Sequence, residues 1–416
     1  MSERLFSAGC GHDAPAMPLA EALQRILGAV GTVAARQRLA VRSALGRVLA
    51  ESVTAPADVP AQDNSAMDGY AVRGEDRGTE TLRLVGSAFA GHPFSGRLGT
   101  GECVRIMTGG VIPAGADTVI MQERARAEGE RVHIESWPET GDNIRPAGED
   151  LRAGETILGP GRRLTPADIG LLASVGRVEV AVHRRPRVAF FSTGDELRGL
   201  GEPLGPGEIH DSNRYTLHAM LTRLGAEVFD YGVVADEPAA LAQAFRDASA
   251  EVDAVLTSGG VSVGEADFIG RILGEQGEVD FWSIAMKPGR PLTFGRVGTA
   301  WFFGLPGNPV SVMATFSQVV APTLRQLAGE NAAPPRRFRV RCRSRLRKKP
   351  GRMEFQRGRL VPGEDGTLEV ESVGHQGSGI LRSMSLADCF IVLPEDAGPV
   401  AAGEDVLVEP FDTLLR

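Results

Sequence analysis

Residues 256–267, LTSGGVSVGEAD, run from an apolar segment into glycines and serines and then into two carboxylates, Glu265 and Asp267. A short apolar run closing on a glycine turn reads as the end of a buried strand. EADFIGRILGEQG, which follows, has helical periodicity, so the unit is strand, loop, helix. Two further strands end in the same way, in FFSTGDEL (190–197) and in FFGLPGNPVS (302–311). Between them lie a helix expected over NRYTLHAMLTRLG and ending at Gly225, a strand in AEVFDYGVV and a helix in EPAALAQAFRDASAE. Strands alternating with helices predict a parallel sheet covered on both faces. The fold class of this segment is therefore α/β, and ligands are expected beyond the carboxyl ends of its strands.

On the N-terminal side, Leu19, Ala22, Leu23, Ile26 and Leu27 share one helical face, and VRSALGRVLAESV (41–53) reads as a second helix. LTPADIGLLASVG predicts a third, with Thr165 as N-cap, Pro166 at the first position and Asp168 in the first turn. Short extended runs broken by Gly and Pro between 55 and 131 predict a small antiparallel β-unit. From about 336 onward, strand-like segments predict a closing β-barrel. The expected organisation is multidomain, α/β plus β. A helical linker domain takes 1–54 and 141–183, an inserted β domain 55–140, the α/β domain 184–329 and the barrel 330–416. A chain of 416 residues has the length for that many cores.

The net charge of −8 argues against a general nucleic-acid binder. Cys10, Cys103, Cys342 and Cys389 lie far apart with no CxxC pair, so neither a zinc site nor a disulfide framework is expected, and a reducing cytoplasm fits. No secretory signal and no membrane-length apolar run is read. RRFRVRCRSRLRKKPGR (336–352) holds ten Arg or Lys and no acid, with arginine at every second position. It predicts a strand with one basic face. Protection of an edge strand by charge is the favoured reading over nucleic-acid binding.

Loops at strand ends expose backbone N–H groups, and the helix that follows adds its positive end; together they bind anions. Ser192, Thr193 and Gly194 belong to the first loop, Ser258, Gly259, Gly260 and Ser262 to the second, and Pro306, Gly307, Asn308 and Pro309 to the third. Glu196, Glu265 and Asp267 stand in these loops, and Asp236 follows another strand. Helix capping is one use for such acids. Beside an anion cradle, a Mg²⁺ ion converts their repulsion of phosphate into attraction. Lys287 and Arg290 bracket a Pro-Gly turn in AMKPGRPLTF and add fixed positive charge. The histidines show no metal-ligand spacing, and no Walker A or GxGxxG pattern occurs. A reaction whose nucleophile comes from the substrates suits this set.

The ordered series DNSAMDGYAV (63–72), RIMTGG (105–110), GED (148–150), FSTGDEL (191–197), SGGVSVGEAD (258–267), KPGRP (287–291), GLPGNPVS (304–311), FQRG (355–358) and GHQGS (374–378) resembles the molybdopterin molybdenumtransferase family, which comprises bacterial MoeA and the E domain of gephyrin. The resemblance covers nearly the whole chain. It implies an enzyme that inserts molybdenum from molybdate into adenylylated molybdopterin and releases AMP, with Mg²⁺ required. It implies that Glu196, Asp236 and Asp267 hold the metal, and that Lys287 with the 258–262 and 304–309 loops contacts the pterin phosphate or molybdate. It also implies a homodimer in which Asp68 and Thr108 complete the partner's site, and it brings Asp150 and Ser378 into the site. Contacts with an adenylyltransferase and with molybdoenzymes follow from the same likeness. Ser283 stands where relatives can carry lysine, and Arg290 where lysine also occurs. The alternatives weighed are a molybdopterin adenylyltransferase and a gephyrin-like scaffold.

Overall fold

The computed structural model describes residues 16–259, 277–412 and 414–415. Helix α1 (Leu19–Ala29) buries Leu19, Ala22 and Ile26. These three pack against the core of the α/β domain, together with Leu324 and Leu327, rather than into the linker unit with which the sequence groups them. Strand β1 (Arg36–Ala40) is followed by a single helical turn at Val41–Ser43. The second helix expected over 41–53 does not form. Gly46 turns the backbone left-handed (φ 71°), and Val48 and Leu49 then bridge to Arg163 and Val182. An apolar pair that satisfies its backbone through distant strands imitates helical spacing in the sequence.

The inserted unit is one six-stranded sheet. Its strands are β2 (Gly69–Val72), β3 (Thr81–Ala88), β4 (Glu102–Ile106), β5 (Thr118–Met121), β6 (Ala125–Glu128) and β7 (Arg131–Ile134), in the order β5-β2-β4-β3-β7-β6. It is not wholly antiparallel, because β3 and β4 run parallel. Residues 89–101, with Gly91 and Gly101 at positive φ, provide the crossover that a parallel pair needs. The chain then returns to the linker unit through α2 (Pro166–Ser174) and β8 (Glu179–His183), the latter antiparallel to β1. The Thr165 side chain accepts from Asp168 N, and the Asp168 carboxylate accepts from Thr165 N: a reciprocal capping box behind Pro166.

The α/β domain carries β9 (Arg187–Thr193), α3 (Ser212–Leu224), β10 (Glu227–Val234), α4 (Pro238–Ser249), β11 (Ala254–Ser258), β12 (Gly277–Ser283), β13 (Pro291–Val297) and β14 (Ala300–Leu305). Helix α5 (Pro309–Thr315) continues through a π turn into α6 (Ala321–Leu327). Pro322 has no N–H to give the turn before it, which accounts for the wider turn. The sheet order is β10-β9-β11-β14-β13-β12. The first four strands are parallel, as expected, and β13 and β12 extend the sheet antiparallel. Along β9, Val188 and Phe190 face α3 and α5–α6, while Ala189 and Phe191 face α4. Burial on both faces explains why these strands read as unbroken apolar runs. Gly225 closes α3 in the left-handed conformation, φ 87°.

The C-terminal unit comprises β15 (Phe338–Cys342), β16 (Met353–Pro362), β17 (Leu368–Ser372), a short helix α7 (Leu381–Leu386), β18 (Cys389–Leu393) and β19 (Asp405–Pro410). The order β16-β17-β15-β19-β18 closes through a β16–β18 pairing into a five-stranded barrel. The basic stretch is therefore not an edge strand. Only 338–342 is strand, and it is paired on both sides. Arg337 donates to Glu409 at 2.8 Å, and Arg343 is bonded to Glu369, so part of the basic face is internally neutralised.

Cys103, Cys342 and Cys389 are free and fully buried. Burial pushes the Cys103 and Cys389 thiols up to about 12 and raises Cys342 as well. In native protein at pH 8 these three are expected to resist iodoacetamide and to react once urea unfolds the chain, as peptide mass spectrometry would read. A thiol whose folded pKa is raised stabilises below its ordinary pKa and loses that contribution as pH rises toward the folded value. Stability is therefore expected to fall between about pH 9 and 12, read as a declining urea midpoint across that range.

Candidate active site

The ends of the parallel strands open on one cavity of about 520 Å³. Thr193 ends β9, and Gly194 and Glu196 follow it; Asp236 follows β10; Gly259 follows β11; Pro306, Gly307 and Asn308 follow β14. The Lys287–Pro291 turn closes one side, and Arg352, Gln376, Gly377 and Ser378 reach in from the barrel. The loops are packed backbone to backbone. A Cβ on Gly259 (φ 91°) would lie 2.5 Å from Thr193 O, and one on Gly194 would lie 2.6 Å from the Glu196 carboxylate. At Gly259 the neighbour is backbone and only glycine allows the approach; at Gly194 it is a movable carboxylate, and the positive φ of 148° is what favours glycine. Ser192 and Ser258 are buried at the strand ends behind the loops, and Pro309 is the first residue of α5. The Ser192 and Thr193 hydroxyls are buried without a hydrogen-bond partner among the described residues. Gly260, Ser262, Glu265 and Asp267 lie outside the described residues.

Lys287 is placed by a two-residue parallel pairing, Met286 with Met353 and Lys287 with Glu354. Its Nζ lies 3.4 Å from both Glu354 carboxylate oxygens. The Glu354 side chain is 4 % exposed and that of Lys287 50 %, so the cation stands between a buried acid and the open cavity. Arg290 donates through Nε to Ser283 Oγ at 2.9 Å. Serine at 283 thus leaves one cation fewer than a lysine there would provide, and it orients the one at 290. Gly289 (φ 101°) lies against Thr315, where a Cβ would come within 2.4 Å of Oγ1. The turn is seated on α5 and holds both cations in place. Ser283→Ala is expected to raise KM for the anionic substrate about 3- to 10-fold with kcat little changed, by steady-state assay, because one neutral tie on a charged group is lost.

Sequence reading missed Arg352, Gln376, Ser311 and Glu354. Gln376 lay in GHQGS and Arg352 in the basic stretch, but their inward placement is a tertiary fact. Beneath them Arg357 is 1 % exposed. It donates through Nε to Ser383 Oγ (3.0 Å) and through Nη2 to the carbonyls of His375 (3.3 Å) and Gly377 (3.0 Å). Burial lowers its pKa to about 10, so at neutral pH it remains a cation under the loop that presents Ser378. Lys287, Arg290 and Arg352 against Glu196 and Asp236 make the described wall cationic on balance.

Asp68 and Thr108 are not among the residues lining this cavity. They pair with each other on the inserted unit: Thr108 N and Oγ1 both donate to Asp68 Oδ1, at 2.7 and 2.8 Å. These bonds, with Arg105 nearby, hold the Asp68 carboxyl below the usual carboxylate range. Asp150 is exposed, with its N–H donating to Val59 O at 3.0 Å, and also lies off the cavity. Among the described residues no group of three or more His, Cys, Asp or Glu is arranged to hold a metal. Two wall carboxylates, Glu196 and Asp236, nevertheless match what Mg²⁺ takes from protein when phosphate oxygens and water complete its shell.

Three family models match in chain order. They are the MoeA N-terminal region (domain I and II) over 17–176, a probable molybdopterin binding domain over 189–326, and the MoeA C-terminal region (domain IV) over 339–411. A molybdopterin molybdenumtransferase of Haemophilus influenzae is 46 % identical over 380 residues, covering 91 % of this chain and 94 % of the relative. One of a Nostoc species is 40 % identical, covering 88 % and 86 %. The crystal structure of a molybdopterin biosynthesis MoeA protein from Pyrococcus horikoshii superposes with a TM-score of 0.81 at 30 % identity, covering 95 % of this chain and all of that one. No helix among the described residues is long and apolar enough to cross a membrane.

Proposed function

The chain belongs to the molybdopterin molybdenumtransferase family and serves molybdenum cofactor biosynthesis as a transferase, and from that premise we propose that it inserts molybdenum from molybdate into adenylylated molybdopterin with release of AMP in the cavity at the strand ends. The observation that carries the reading is the joint placement of Lys287, Arg290 and Arg352 with Glu196 and Asp236 around glycine loops on one wall. Both substrates are anions. The dithiolene sulfurs of the pterin are the attacking groups, so the protein needs no nucleophile of its own and contributes position and charge. Lys287, with the Gly259 and Gly307 loops, holds phosphate or oxyanion. Arg290, aimed by Ser283, offers a planar fork to the same kind of group. Glu196 and Asp236, with Asp267, would hold Mg²⁺, which when bound neutralises phosphate charge beside the acids.

Asp68, Thr108 and Asp150 act in this reading from a second copy of the chain, since within one chain they lie off the cavity. Work in the cytoplasm, alongside an adenylyltransferase that supplies the substrate and molybdoenzymes that take the product, follows from the same reading. The test is purified protein with adenylylated molybdopterin, molybdate and Mg²⁺. AMP should appear only with molybdate present, and the product should activate an apo-molybdoenzyme. Adenylylation of molybdopterin from ATP without molybdate-dependent AMP release would transfer the assignment to the adenylyltransferase class.

A further inference from the structure

Asn213, in the first turn of α3, is absent from the lining of the cavity and enters the sequence reading only as part of a helix. Its side chain nevertheless spans two of the three loops. Nδ2 donates at 2.8 Å to Ser258 Oγ, where β11 ends, and at 2.7 Å to Gly307 O in the loop after β14. The carbonyl partner settles the orientation of the amide, because only its NH₂ end can face an acceptor. That leaves Oδ1 buried with no partner among the described residues. Both hydrogens of one amide are therefore committed to holding two loops together.

The residues just before it bind the remaining loop. Leu197–Arg198 pairs in parallel with Ile209–His210, Ile209 N donates to Glu196 O at 2.9 Å, and Asp211 N donates to Arg198 O at 3.1 Å. Asp211 is 2 % exposed and caps α3 by accepting from Arg214 N at 3.0 Å, which fixes the helix start from which Asn213 projects. Residues 209–213 therefore touch all three loops that form the cradle.

We propose that Asn213 is a positioning residue that sets the spacing of the Ser258 and Gly307 loops, and that anion affinity in the cavity depends on its two amide N–H bonds. A cradle of backbone N–H groups binds tightly only when its strands are already in register; untied, the loops must be ordered at the expense of binding. The inference rests on the proposed function only for the ligand used in one arm of its test.

Asn213→Asp keeps the shape of the side chain, removes both donors and turns a carboxylate toward the Gly307 carbonyl. In the unliganded protein, peptides spanning 304–311 should exchange amide hydrogen at least about 5-fold faster than in the wild type. In the insertion assay KM for adenylylated molybdopterin should rise about 30-fold, with kcat within about 3-fold, as expected for the loss of two bonds that act on binding. Asn213→Gln, which keeps the donors, should recover part of that affinity, and serves as the folded variant if the aspartate fails to fold. Unchanged exchange together with unchanged KM in Asn213→Asp would overturn the proposal. So would a loss shared equally by Asn213→Gln, which would mark a packing role. If the wild type releases no molybdate-dependent AMP, the functional reading fails and the exchange measurement alone decides the tether.

Discussion

Lys287→Met is expected to lower kcat/KM for molybdenum insertion by about 10²- to 10³-fold, measured as molybdate-dependent AMP release at limiting substrate. Its ammonium is half exposed to the cavity and stands 3.4 Å from a nearly buried Glu354. Removing it takes a fixed cation from the anion wall and leaves Glu354 with the 3.1 Å bond from Gln356 Nε2. The second effect costs stability. Because Lys287 is half exposed, that cost is about 1–2 kcal/mol rather than the larger penalty of a wholly buried pair. The double variant Lys287→Met with Glu354→Gln separates the effects. Its unfolding midpoint should return toward the wild type while kcat/KM stays low. Recovery of activity in the double variant would place the role of Lys287 in stability alone.

Asp68→Ala and Glu196→Gln are each expected to lose nearly all insertion activity, and an equal mixture of the two, reassorted through mild denaturation, to regain about a quarter of it. Random pairing makes about half of the dimers mixed, and each mixed dimer has one of its two sites intact, which yields that fraction. The structural motive is plain. The Asp68–Thr108 pair is well formed, yet lies off the cavity that Glu196 lines in the same chain. If both act on one reaction, as proposed, the Asp68 surface must come from a second copy. A mixture that stays inactive while size exclusion shows mixed dimers would rule out the shared site. Native mass spectrometry of the wild type supplies the matching count of subunits.

The parallel core was legible because its chemistry is local. Strands buried on both faces are apolar throughout, and Val188–Phe191 need no distant information to be read that way. The Thr165–Asp168 box and the Gly225 terminus are equally local. The 41–53 segment misled because the partners of Val48 and Leu49 are more than 110 residues away, at Arg163 and Val182. The β13–β12 extension was hidden behind KPGRP, whose prolines and glycine announce a turn and obscure the strand that starts at Pro291. In the basic stretch, alternation found the strand, while its neutralising acids, Glu369 and Glu409, come from strands far along the chain.

Taken by itself, the sequence determined the strand–loop–helix units, the glycines that let three loops approach one another, and the residue types able to bind anions and a divalent cation, since each depends on neighbours a few positions away. Only the tertiary structure decided which of these meet. It set Lys287 against Glu354, Arg290 against Ser283, and Asn213 between Ser258 and Gly307, and it kept Asp68 apart from Glu196 within one chain. The reason is physical: side-chain contacts between elements follow from how whole faces are buried together, and no local pattern carries that information.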